Sequence, residues 1–161
     1  MYAAPGVAEE CLALQRALSI DVNMLLFCAL LGAAKHTALN QTDLTVIADT
    51  VGPWHHTAVR PLRAVRESIK ALPEMTHDEV QALRKQVSVS ELRAEQIEQA
   101  LLHGWALGLP ARESSGAPHD LVRGNVETFL KHHRADQQST HLSYAGLLHA
   151  ALRVAGQTDD H

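Results

Sequence analysis

Apolar residues recur along this chain three and four positions apart, the spacing of one helix face, and nowhere in the two-residue alternation of a half-buried strand. One stretch breaks the amphipathic rule. From Asp21 to Ala34, DVNMLLFCALLGAA, every residue after Asp21 is apolar, Gly or Ala except Asn23. A helix that is apolar all round has to be enclosed on nearly every side. At roughly 20 Å it is too short to cross a bilayer, so it reads as the central core helix.

The remaining elements follow from the same reading. A first helix is expected from about Pro5 to Leu18, with Val7, Cys11, Leu14 and Leu18 inward. A corner at Ser19-Ile20 precedes Asp21 as N-cap of the central helix. Asn40 or Thr42 caps a short third helix that turns Leu44, Ile47 and Val51 inward and ends at Gly52-Pro53. Trp54, Ala58, Leu62, Val65, Ile69 and Leu72 make a stripe that crosses Pro61, which calls for a kink near Val59 or a fresh start at Pro61.

Thr76-His77-Asp78-Glu79 has the form of a capping box, and a long helix should begin there. Its seam of Val80, Leu83, Val87, Ser90, Ala94, Ile97 and Leu101 alternates threes and fours, as a coiled coil does. Unbroken to Leu107, the helix would run about 45 Å, long enough to invite a partner, most simply a second copy of the chain. A break at Ser88, where Ser88 and Glu91 form a second capping box, is the alternative. Glu91, Glu95 and Glu98 are expected on a solvated face.

Gly108 to Ala117, GLPARESSGA, reads as a linker. It separates a helical core, residues 1–107, from a C-terminal helical pair, residues 118–155. The first of that pair starts at Pro118 with Val122, Val126, Phe129 and His133 on one side. The second starts at Thr140 with Leu142, Ala145, Leu148 and Leu152. A pair this small should pack on the core or on a partner subunit, and residues from Gly156 onward are expected to be disordered. The fold class is therefore all-α, a compact bundle around one apolar helix.

Composition narrows the partners. A net charge of −4, with 11 His counted neutral, argues against a broad nucleic-acid or membrane footprint. Aromatics make up only 4% of the chain, so Leu, Val, Ile and Ala must fill the core. Cys11 and Cys28 form no CxxC and sit at apolar positions, which suits reduced, buried thiols. No charged leader with an apolar run opens the chain, and the expected location is the cytoplasm.

No motif fixes a chemistry. There is no Gly-rich phosphate loop, no Gly-x-Ser-x-Gly elbow and no Cys/His pair placed for attack. No two histidines stand three or four apart, and the adjacent pairs His55-His56 and His132-His133 point about a quarter-turn or more apart. Neither a metal nor a cofactor is expected. Asp21 and Asn23 are explained as a cap and its neighbour, while the functional alternative has them converge with Trp54 and the arginines on a pocket. Arg60, Arg63, Arg66 and Lys70 share a sector of one helix. Their guanidinium groups suit a phosphate, a carboxylate, or an intramolecular pairing with the Glu91, Glu95 and Glu98 face.

Three runs carry a family resemblance: Tyr2-Ala3-Ala4-Pro5-Gly6-Val7, Cys11-Leu12-Ala13-Leu14-Gln15, and Asp21 through Cys28. It continues through Pro53-Trp54, Val59-Arg60-Pro61-Leu62-Arg63 with Arg66, and Glu91 through Gln99. Over roughly residues 2–103 the chain resembles a bacterial, mainly proteobacterial family of unknown function, number 2390 among such domains. The resemblance implies no activity. The leading expectation is a non-enzymatic helical interaction or regulatory module that self-associates, as a dimer, through Val80, Leu83, Val87, Ala94, Ile97 and Leu101. The alternative is a small-ligand or enzymatic pocket that uses Asp21, Asn23, Trp54, Arg60, Arg63 and Arg66.

Overall fold

The computed structural model describes residues 5–109, 114, 116–133 and 143–156. The described residues are all-α, with no strand among them. In chain order the helices are α1 (Val7–Leu18), α2 (Val22–Ala34), α3 (Gln41–Trp54), α4 (Arg60–Lys70), α5 (Asp78–Leu107), α6 (Pro118–His133) and α7 (Ala145–Gly156). The chain forms two compact units, residues 1–46 with 108–161, and residues 47–107, and the boundary falls within α3.

In the first unit α2 is the element around which the others gather. Asp21 caps it, its carboxylate accepting from the amides of Asn23 at 2.8 Å and Met24 at 3.3 Å. Ser19 takes the left-handed conformation that turns the chain between α1 and α2, and its amide closes on the Gln15 carbonyl. Met24, Leu25, Cys28, Ala29, Leu31, Gly32 and Ala33 are buried, and Leu26, Phe27 and Leu30 are half-buried. α6 and α7 pack against α2. Gly32 is what lets α6 come so close, because a Cβ there would lie 2.8 Å from the Val122 amide nitrogen. At its C-terminus His36 is left-handed and the Thr37 amide reaches back six residues to the Leu31 carbonyl, which also accepts from the Lys35 amide.

Two side chains carry long-range polar structure in this unit. Asn125, buried on α6, accepts from the Leu39 amide at 2.8 Å and donates to the Cys28 and Thr37 carbonyls at 3.0 and 2.9 Å. Glu10 on α1 caps α7 from outside, accepting from the Gly146 and Leu147 amides at 3.1 and 3.0 Å. The expected linker lies partly outside the described residues, but Ser114 accepts from the Ala38 amide at 3.0 Å. The expected start of the last helix at Thr140-Leu142 and the tail beyond Gly156 lie outside the described residues.

In α3, Asn40 and Asp43 form a reciprocal cap. Each side chain accepts from the other's backbone amide, at 3.0 and 2.9 Å. Contrary to expectation, Gly52-Pro53 does not end the helix. Pro53 has no N–H to give the ladder, yet Ile47, Val51, His55 and Val59 recur at i+4 and are all buried. Burial of that stripe outweighs one missing bond.

The helix then widens into a π turn at His55–Val59, where the Arg60 amide reaches the His55 carbonyl five residues back. α4 resumes at Arg60, with Pro61 in its first turn, where a missing N–H costs least. The bend demanded by Pro61 is therefore taken up as a wide turn ahead of it.

α4 and α5 form an antiparallel hairpin across a short 3₁₀ turn, Pro73–Thr76. The Thr76 capping box does not form: Pro73 starts the 3₁₀ turn, and the Thr76 hydroxyl donates back to the Pro73 carbonyl. His77 is extended and stands at the N-cap position of α5, its carbonyl accepting from Val80 and Gln81. α5 is continuous for 30 residues with no break at Ser88, roughly 45 Å of helix.

Candidate interaction surface

The face that α5 turns inward is polar at its centre, and this overturns the expected solvated position of the glutamates. Its buried residues are Glu91, Ala94, Glu98 and Leu102, spaced three, four and four. Glu98 has no exposed surface and Glu91 is 6% exposed. Of the expected seam, Ala94 is buried, Val80, Val87 and Ile97 are half-buried, and Leu83 and Leu101 are exposed. The inward register runs through 91, 98 and 102 where the expected seam has 90, 97 and 101. The facing helix supplies the reason, since it presents cations that only carboxylates can match.

Arg63 donates to Glu91 at 3.0 Å and also to Glu95. Arg66 grips both Glu91 oxygens and extends its remaining donor to Glu67. Burial works against charge on Arg63, but the hydrogen bonds it donates to Glu91 and Glu95 outweigh that and raise its pKa above the ordinary value. Arg66 is raised chiefly by its hydrogen bond to Glu91. Burial likewise pushes the Glu91 carboxyl up, yet Arg66 and Arg63 together hold it below the usual carboxylate range. Of the expected arginine sector, Arg63 and Arg66 are thus engaged within the hairpin, while exposed Arg60 contacts the His56 ring at 3.3 Å.

The third glutamate takes a different partner. The Glu98 carboxylate lies 2.8 Å from His55 Nδ1, in the π turn, and His55 is itself 9% exposed. A carboxylate beside an imidazole is the arrangement of a general base, but this pair is enclosed, and its evident effect is to hold the wide turn against α5. Trp54 adds a tie of the same kind, its indole N–H donating to the Ala94 carbonyl at 2.9 Å. Sequence reasoning missed the His55–Glu98 pair, which is separated by 43 residues. The four-residue stripe Ile47, Val51, His55, Val59 is the signal that points His55 inward.

Asp21 and Asn23 belong to the first unit and Trp54, Arg60, Arg63 and Arg66 to the second. Within the hairpin a cleft of about 290 Å³ is lined by Arg66, Ser88, Val89, Glu91, Leu92 and Glu95. Its one arginine already faces Glu91. The two cysteines offer no nucleophile: both are free and buried, with the Cys11 thiol pushed up to about 11 by burial and Cys28 raised further by the same cause.

Among its exposed polar residues the hairpin also presents leucines and valines to water. Among the described residues the exposed large hydrophobics are concentrated on α4, α5 and their connection: Val65, Leu72, Leu83, Val89, Leu92, Leu101 and Leu107, with only Leu12 and Val46 elsewhere. Leu83 is 51% exposed, Val89 61% and Leu107 70%. No helix among the described residues is long and apolar enough to cross a membrane.

These features define an all-α protein whose hairpin is knit inside by ion pairs and carries exposed leucines and valines among the polar residues outside. The family described as Protein of unknown function (DUF2390) matches residues 1–102, and the chain belongs to it. No curated protein and no solved structure matches the chain.

Proposed function

We propose that this chain is a non-enzymatic helical interaction module, regulatory in role and cytoplasmic, that self-associates through the outward side of the α4–α5 hairpin. The observation that carries the reading is the cluster of half-exposed leucines and valines on a helix whose inner face already has its partners. Burying one such side chain is worth about 1.5–3 kcal/mol, so several of them covered together are enough to hold two subunits. The free, buried cysteines fit a reducing compartment.

The test is size-exclusion chromatography with light scattering on the wild type and on Leu83→Glu. The wild type should elute as a dimer and the variant as a folded monomer by circular dichroism. A wild type that stays monomeric at high micromolar concentration refutes the proposal.

A further inference from the structure

Resting on the self-association proposed above, we infer that α5 pairs antiparallel with α5 of a second copy about a two-fold axis beside Gln86, so that Glu79 of each chain meets Arg93 of the other. At about 100° per residue, Glu79, Ala82, Leu83, Val89 and Arg93 all fall within roughly 60° of Gln86 around the helix. All six are exposed. The buried Glu91, Ala94, Glu98 and Leu102 fall at about 80° to 160° from Gln86, beside this arc and outside it, so its exposed side chains are not needed to close the hairpin.

The order of residues along the arc selects the partner. Glu79 and Arg93 each stand seven residues from Gln86, on opposite sides of it. Leu83 and Val89 stand three residues away on opposite sides in the same manner. A two-fold axis at Gln86 therefore makes two Glu79–Arg93 contacts and two Leu83–Val89 contacts at once. A parallel, in-register pair would stack Glu79 on Glu79 and Arg93 on Arg93, like charges that repel. An antiparallel pair centred four residues later, at Ser90, would set Glu79 against Leu101 and leave Arg93 facing Val87. Of these three arrangements the Gln86 register alone matches both charge and apolar surface, and it does so with a copy of itself, as an isologous interface requires. The 3₁₀ turn places exposed Leu72 at the same end of the hairpin.

The register is tested in the full chain by crosslinking and by charge reversal. Gln86→Cys sits at the axis and should oxidise to a covalent dimer on a non-reducing gel, whereas Arg93→Cys, two helical turns away, should not; the buried native cysteines stay silent. Glu79→Arg and Arg93→Glu should each weaken the dimer about tenfold at low salt, since each creates two like-charge contacts. An equimolar mixture of those two variants should form heterodimers, and the double variant should recover wild-type affinity. A dimer indifferent to both reversals, with no crosslink at 86, overturns the register and leaves the self-association standing. A wild type that is monomeric throughout overturns both.

Discussion

Glu91 is nearly enclosed, and it keeps its charge because two guanidinium groups stand against it. A carboxyl held below its ordinary pKa stabilises the fold above the usual carboxylate range, and that contribution is lost as the pH falls through the lowered value. Thermal melts should therefore show the wild type losing stability on acidification. Glu91→Gln, which removes the carboxylate shared by two half-buried arginines and leaves Arg63 only Glu95 and Arg66 only Glu67, should melt as though about 1–3 kcal/mol less stable at neutral pH and depend less on acid. Asn125 is the corresponding residue of the first unit. Asn125→Ala leaves the Leu39 amide and two carbonyls without that partner, and denaturant titration should report a loss of about 1–3 kcal/mol. The pairing of the arginines with Glu91 and Glu95 is one of the readings that the arginine spacing offers in sequence, whereas the burial of Glu91 and the role of Asn125 are not legible there. Apolar periodicity marks which arc of a helix turns inward, and a buried polar residue on that arc is visible only once its partner, here 25 to 97 residues away, is in place.

At the level of elements the sequence reading holds where burial and local capping agree. The Asp21 cap, the apolar α2 and the inward Leu44, Ile47 and Val51 of α3 are all observed. It fails where proline or threonine is read without tertiary context. Pro53 is carried inside α3 because a buried stripe runs through it, and Thr76 spends its hydroxyl on the 3₁₀ turn. The α5 stripe of Val80, Leu83, Val87, Ser90, Ala94, Ile97 and Leu101 is half-buried or exposed except at Ala94, because the inward face follows Glu91, Ala94, Glu98 and Leu102, where α4 supplies arginines to Glu91 and the wide turn supplies His55 to Glu98. The close approach of α6 to α2 at Gly32 gives a sharp prediction. Gly32→Val must push α6 away from α2 or distort both, and should cost at least the 1–3 kcal/mol typical of overpacking, read as a lowered melting temperature. Gly124→Ala, where an added Cβ meets nothing within 4 Å, is the control that should be neutral or slightly stabilising.

At the scale of the whole molecule, the length of α5 and the exposed leucines and valines of its outward face are the features that stand out. The length was foreshadowed by the run of residues from Asp78 to Leu107, and self-association remains the proposal built on it. Sedimentation equilibrium over a hundredfold range of concentration tests it most directly. The account predicts an average mass that climbs to twice that of one chain, with Leu83→Glu held at the single-chain value across the range. A wild-type mass that stays at one chain from the lowest concentration to the highest would contradict it.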